Sequence, residues 1–186
     1  MINKILITDP ISDLGIEKLK DAGLEVIYKP DSDEDEIHSM LGDIDGWIIR
    51  SGTQINKDYI QDSKKLQIIG RAGVGTDNID INQATQSGVI VMNVPDGNTI
   101  SAAEHTMAMI LSLSRNIQLG HMGMIKGDWN RHNLTGSELQ NKILGIVGLG
   151  KIGKEVIKRA SSYNMKILGY DPFISQDHFD KDEVEI

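Results

Sequence analysis

The sequence predicts an α/β protein: a parallel sheet with helices on both faces, followed by the opening strands of a second parallel sheet. Three observations lead there. Residues 1–98 alternate five short apolar runs with polar, helix-forming stretches, the pattern of successive βα units. Residues 143–153, ILGIVGLGKIG, join an apolar run to a G-x-G-x-x-G turn that opens a helix. A further apolar run over 165–170 ends in Asp171, 18 residues past Gly153, the last glycine of that turn.

In chain order, strands are expected at 4–8, 24–28, 46–50, 66–71 and 89–93, each a short apolar run bounded by polar or turn-forming residues. Helices are expected between them at 12–22, 33–41, 56–63 and 79–86. The first begins at Ser12, a residue type that caps helix N-termini, and stops at Gly23. The acidic run DSDEDE (31–36) supplies a helix start and a solvated face, because carboxylates suit the positive end of the helix dipole. It is not read as a metal site. NVPDG (93–97) breaks the alternation and marks a crossing point.

A long helix is then expected over 102–119, with Ser101 and Glu104 as a capping box. Ala103, Met107, Ile110, Leu111, Ser114 and Ile117 form its buried stripe. Met107, Met109, Met122 and Met124 are expected in core packing, where the flexible thioether fills gaps. Residues 120–141 read as an arm or loop anchored by Trp129. After Asp171 come Pro172 and a polar tail ending KDEVEI. A doubly wound nucleotide domain usually has six strands, and only two follow the long helix, so the pattern stops in mid-domain.

The glycine turn carries the most specific chemistry. In such turns the first glycine (here Gly148) allows the sharp bend, and the second (Gly150) lets a pyrophosphate approach the backbone. The third (Gly153) lets the helix pack closely on the strand, with phosphates held at the helix N-terminus. An acid at the distance of Asp171 is placed for the ribose hydroxyls and would repel a 2′-phosphate, which favours NAD over NADP. Lys151 and Lys154 soften that preference, since either is in reach of a phosphate. The rival reading is a purely structural βα turn.

Composition narrows the rest. With 39% hydrophobic and 25% charged residues, the 186-residue chain is an ordinary globular one. A net charge of −8 argues against a general nucleic-acid binder, so an anionic ligand must be held by a few local arginines. No cysteine is present, which excludes disulfides, thiolate metal sites and a cysteine nucleophile. No apolar run approaches membrane-spanning length and the first residues do not form a signal peptide, so a cytoplasmic location is expected.

Two arginines end strands in the first sheet, Arg50 and Arg71, where open α/β sheets bind ligands. A guanidinium can hold a carboxylate or phosphate in a two-pronged fork. The bland alternative is a surface ion pair, for instance between Arg71 and Asp77. The loop Ala72-Gly73-Val74-Gly75 can offer backbone N–H groups to a carboxylate. None of the five histidines has metal-ligand spacing; His105, beside Glu104, reads as a hydrogen-bonded structural residue.

Five segments carry a family resemblance: IIRSGTQI (48–55), GRAGVGTDNIDI (70–81), VMNVPDGNTISAAEHT (91–106), KGDWNR (126–131) and ILGIVGLGKIG (143–153). Together they resemble the D-isomer-specific 2-hydroxyacid dehydrogenases over essentially the whole chain. The stretch NVPDGNTISAAEHT (93–106) is similar to the phosphoglycerate branch rather than to the lactate or corepressor branches.

The resemblance implies a flavodoxin-like substrate-binding domain over 1–98, lacking its C-terminal return segment. An incomplete Rossmann NAD-binding domain follows over 99–186, truncated after the first βαβ unit. The implied reaction is NAD-dependent oxidation of 3-phosphoglycerate at the 2-hydroxyl, the entry to serine synthesis. Arg50, Ser51, Arg71, Gly73 and Val74 correspond to substrate-binding positions. Val74, Gly148, Gly150, Lys151, Ile152, Gly153 and Asp171 correspond to cofactor-binding ones, with Lys151 standing where arginine is frequent. The family's catalytic arginine, glutamate and histidine belong to a later region, so no catalytic residue is assigned here, His178 included, and the chain alone is expected to show no turnover. The helix and arm over 99–141 correspond to a homodimer-forming segment. Two rivals stand beside this reading: turnover of another D-2-hydroxy acid (glycerate, lactate or glyoxylate), and a non-catalytic NAD-responsive binding role.

Overall fold

Each apolar run of the first half is too short for a buried helix but long enough for a strand covered on both faces. The computed structural model, which describes residues 2–179 and 184–186, has a strand at each. These are β1 (Lys4–Ile7), β2 (Glu25–Tyr28), β3 (Gly46–Ile49), β4 (Ile68–Arg71) and β5 (Ile90–Asn93). Between them lie α1 (Asp13–Asp21), α2 (Glu34–Leu41), α3 (Lys57–Asp62) and α4 (Ile81–Gln86). All strand pairs are parallel, in the order β2-β1-β3-β4-β5, the flavodoxin-like arrangement. The order reverses between β1 and β3, so the loops leaving their carboxyl ends diverge and open a crevice.

Local chemistry starts the helices as expected. Asp33 caps α2 by accepting the Glu36 N–H at 2.9 Å, and Asn56 caps α3 by accepting the Tyr59 N–H at 3.0 Å. After α1, Gly23 takes φ +82°, a left-handed conformation that suits glycine. The core of this unit gathers Leu6, Leu41, Ile44, Trp47, Ile49, Ile55, Tyr59, Ile60 and Ile69 around β1 and β3. Trp47 is fully buried, its ring edge-on to Tyr59 at 5.7 Å. Its Nε1–H donates to Thr8 Oγ1 at 2.9 Å, and Thr8 Oγ1 shares a 2.8 Å hydrogen bond with Thr53 Oγ1.

Contacts divide the chain into two units, Met1–Gly97 and Asn98–Ile186. In the second, α5 (Thr99–Ser114) leads into α6 (Ile117–Ile125). Then come β6 (Ile143–Val147), α7 (Lys151–Ser161) and β7 (Lys166–Tyr170). The strands β6 and β7 pair in parallel from Ile143↔Lys166 to Val147↔Tyr170. Ala103, Met107, Leu149, Val156, Ile157, Ala160, Ile167 and Val184 form its core.

Here the structure departs from the sequence expectations. The long helix over 102–119 is two helices, broken where Asn116 turns left-handed at φ 53°. The cause is distant in sequence: Ser137 N–H donates to Ser114 O at 2.7 Å, and Asn116 Nδ2 donates to Thr135 O at 3.2 Å. That approach needs Gly136, since a Cβ there would fall on the Ser114 carbonyl oxygen. The start of the expected arm, residues 120–125, is part of α6, and a further 3-10 turn spans Arg131–Leu134.

The capping box is not formed. The helix begins at Thr99, and Ser101 Oγ donates to Asn98 O at 3.1 Å. Of the four methionines only Met107 is buried; Met109, Met122 and Met124 are exposed, as is Ile117 of the stripe. Trp129, 77% exposed, lies at a surface hollow of about 350 Å³ with Leu119, Met124 and Leu134 rather than anchoring an arm to a core. His105 is exposed, and its side chain makes no hydrogen bond among the described residues. The polar tail also does more than trail: Val184 is buried, and Glu185 bridges Leu168 in parallel, accepting from Gly169 N–H at 2.7 Å and donating to Ile167 O at 3.1 Å. Asp180 and residues 181–183 of KDEVEI lie outside the described residues. No helix among the described residues is long and apolar enough to cross a membrane.

Candidate functional site

In the first unit the site is built where β1, β3 and β4 end. Arg50 follows β3 and is exposed beside a cleft of about 440 Å³ lined by Pro10, Ile11, Ser12 and Ala72. Its Nη1 donates to Pro10 O at 3.3 Å, which leaves the rest of the guanidinium for a ligand. Ser51 is exposed next to it.

Sequence reasoning missed the residues that shape this loop. Asp9, only 6% exposed, accepts the Arg50 N–H at 2.6 Å and the Thr53 N–H at 3.1 Å, both on Oδ2. A Cβ on Gly52 would fall on Asp9 Oδ1, so the glycine is what lets the carboxylate sit inside the loop. Asn78, 4% exposed, donates from Nδ2 to Arg50 O and Thr53 O, each at 2.7 Å. A carboxylate in ITDP, directly at a strand end, was the one available signal for Asp9.

Arg71 ends β4 with its Nε buried and, among the described residues, without a hydrogen-bond partner or an ion pair with Asp77. Its guanidinium lies against Gly73, where any side chain would collide with Nη1. The following loop offers fewer amides than expected: Ala72 N–H donates to Ile49 O and Gly73 N–H to Arg71 O, each at 2.8 Å. Among the described residues, only the Val74 and Gly75 amides of this loop lack a partner. Val74 O accepts from Asn93 Nδ2 at 2.7 Å, which ties the loop to the end of β5.

In the second unit the glycine turn joins β6 to α7. Gly148 has φ +98°, a conformation L side chains rarely adopt, and its N–H donates to Tyr170 O at 2.7 Å. A Cβ on Gly153 would fall on the Gly148 carbonyl oxygen, whereas no atom of the described residues lies within 4 Å of one placed on Gly150. Gly150 is the N-cap of α7 and has no side chain to occupy the first-turn N–H groups, Ile152 and Gly153 among them. The backbone here is open to an anion, as a pyrophosphate requires.

Asp171 closes the turn from the end of β7. Its Oδ2 accepts the Leu149 N–H at 2.8 Å and its Oδ1 the Phe173 N–H at 2.9 Å. These bonds, Phe173 first and Leu149 second, hold its pKa below the ordinary carboxylate value by stabilising the charged form. Lys154 is engaged elsewhere, with Nζ 5.5 Å over the Phe179 ring. His178 sits in a local turn, with Nδ1 3.3 Å from Ser175 O. Among the described residues no group of three or more His, Cys, Asp or Glu side chains could hold a metal ion.

A parallel α/β unit with arginines at its strand ends, followed by a dinucleotide-type turn, defines a class, and the family comparison agrees. The model of the D-isomer specific 2-hydroxyacid dehydrogenase catalytic domain matches residues 5–176, and the chain belongs to this family. Its relatives include D-3-phosphoglycerate dehydrogenases. The Sus scrofa protein is 46% identical over 174 residues, 94% of this chain and 33% of that protein. The Methanocaldococcus jannaschii protein is 43% identical over 183 residues, 98% of this chain and 35% of that one. Among solved structures, the NAD+-bound 3-phosphoglycerate dehydrogenase of Entamoeba histolytica superposes with a TM-score of 0.75 at 33% identity, covering 94% of this chain and 56% of that one. The chain thus spans about a third of the length of the curated relatives it matches.

Proposed function

We propose that this chain is the substrate- and cofactor-binding part of an NAD-dependent dehydrogenase that oxidises D-3-phosphoglycerate to 3-phosphohydroxypyruvate, the first step of L-serine biosynthesis. The observation that carries the reading is the glycine turn closed by Asp171, with an open Gly150 backbone at an uncapped helix end. The similarity to phosphoglycerate dehydrogenases over most of the chain supports the substrate, and so does Arg50 beside its cleft. In this reading the unit Met1–Gly97 binds substrate and Asn98–Ile186 binds NAD.

When bound, NAD supplies the acceptor for the hydride of the oxidised carbon. The chain's own part is binding and orientation. Gly148, Gly150 and Gly153 shape the turn, the Lys151 and Ile152 backbone meets the pyrophosphate, and Asp171 takes the ribose hydroxyls. Arg50, Ser51, Arg71, Gly73 and Val74 receive the substrate anion, with Val74 also beside the nicotinamide.

NADH titration of the purified chain by fluorescence tests this. Saturable binding is expected, weakened about tenfold or more in Asp171→Ala because ribose acceptors are lost. The pH dependence has a definite sign. A carboxylate whose folded pKa is lowered contributes above its unfolded value, 3.8, and loses that contribution as pH falls through the lowered one. Affinity should therefore hold at neutral pH and decline only in acid below the ordinary carboxylate range. Equal affinity in wild type and Asp171→Ala would remove Asp171 from the site.

We also infer self-association through α5, α6 and the segment up to residue 141. Leu113, Ile117, Leu119, Met124 and Ile125 are large apolar side chains left exposed there, and such a patch favours a partner surface. Sedimentation equilibrium should show a dimer that the Leu113→Asp, Ile117→Asp double variant converts to monomer; a monomeric wild-type chain would refute the inference.

A further inference from the structure

Two side chains outside the set assigned to substrate grip the loop that carries Arg50, and they do so with opposite chemistry. Asp9 accepts the loop's N–H groups at Arg50 and Thr53, while Asn78 donates to its carbonyls at the same two residues. Both are almost wholly buried. A buried carboxylate is costly unless its charge is met by hydrogen bonds, and Asp9 has no ion pair among the described residues. Its compensation is the loop backbone itself, so loop shape and carboxylate position are set together. Gly52 completes the fit, since a side chain there would meet Asp9 Oδ1.

The grip also reaches the core and the neighbouring loop. Thr53 is tied through Thr8 to the buried indole of Trp47. Asn78 belongs to the segment after β4, and its carbonyl accepts the Ile55 N–H at 2.8 Å. Asn78 therefore links the loop bearing Arg50 to the one that follows Arg71. A guanidinium on a loop held this way loses less conformational freedom when it takes an anion than one on a free loop.

We propose that Asp9 and Asn78 are positioning residues that fix Arg50 for the substrate anion and couple its placement to the Arg71 loop. This rests on the substrate reading of Arg50 given above. Neither residue touches the substrate; each acts through the backbone of residues 50–53.

The test is titration of D-3-phosphoglycerate into the isotopically labelled chain, reading affinity and the Arg50 Nε–Hε resonance. Wild type is compared with Arg50→Ala, Asp9→Ala, Asp9→Asn and Asn78→Ala; NADH affinity and thermal midpoint serve as controls. Asp9→Ala and Asn78→Ala should each weaken phosphoglycerate binding about tenfold, as loss of buried hydrogen bonds implies. They should also shrink the ligand-induced shift of the Arg50 resonance while NADH affinity stays unchanged. Asp9→Asn keeps an acceptor oxygen and should recover part of the loss. If Arg50→Ala weakens binding but all three clamp variants match wild type, the positioning role is overturned and the substrate reading stands. If wild type does not bind phosphoglycerate, or binding ignores Arg50→Ala, the substrate reading falls and the clamp with it. Should Asp9→Ala not fold, Gly52→Ala presses on the same carboxylate and, with Asn78→Ala, decides by the same readouts.

Discussion

Gly153→Ala is expected to lose NADH binding and to destabilise the second unit at once. The residue lies in the first turn of α7, and a Cβ there would fall on the Gly148 carbonyl oxygen. That oxygen is backbone, and Gly148 already holds φ +98° with its N–H bound to Tyr170 O. The helix must therefore move away from β6, and overpacking of this kind costs about 1–3 kcal/mol. Moving the helix also carries off the N–H groups that a pyrophosphate would use.

Gly150→Ala separates the two effects. No atom of the described residues lies within 4 Å of a Cβ at this position, so folding should be untouched. The added methyl stands where the second glycine of such turns admits the pyrophosphate, so NADH affinity should still fall, by about tenfold or more. Thermal melts and fluorescence titrations of both variants distinguish the cases. A Gly153→Ala chain with normal melting and normal NADH affinity would show that the close approach of helix and turn is not required.

Trp47→Ala is expected to have the largest effect on stability, about 3–5 kcal/mol, the range for truncating a buried aromatic. Trp47 is fully buried at the centre of the first unit, against Tyr59, and its N–H holds the Thr8 hydroxyl. Trp47→Phe keeps most of the ring volume and loses the hydrogen bond, for which about 1 kcal/mol is expected. Urea unfolding followed by circular dichroism reads both. Equal losses in the two variants would assign the effect to the hydrogen bond rather than to the cavity. Because Thr8 also meets Thr53, both variants should loosen the loop after Arg50 before they unfold the unit.

The alternation of strands and helices in the first unit was legible in the sequence because it is written locally. Each strand is a short apolar run, and Asp33 and Asn56 sit within one turn of the N–H groups they cap. The glycine turn was legible for the same reason: Gly148 needs a positive φ and Gly153 a bare Cα, both satisfied within six residues. Asp171 was reachable through a fixed spacing, and its carboxylate meets the turn at Leu149.

What the tertiary structure alone decided involves partners far apart in the chain. The helix over 102–119 breaks because Gly136 and Ser137 come back to the Ser114 carbonyl, a contact to which a 3.6-residue stripe is blind. Met122 and Met124 are apolar, yet α6 buries none of its residues, and Met109 of α5 is exposed as well. Val184 is buried and Glu185 bridges Leu168, though both come from a stretch whose composition reads as solvent-facing. Asp9 and Arg50 stand 41 residues apart, and nothing local marks the carboxylate as an acceptor for that loop. Sequence thus determined the elements and the glycine turn, whose requirements are backbone conformation and period. The grip on Arg50 is a match between a buried charge and amides from another βα unit, and only the parallel pairing of β1 with β3 brings the two together.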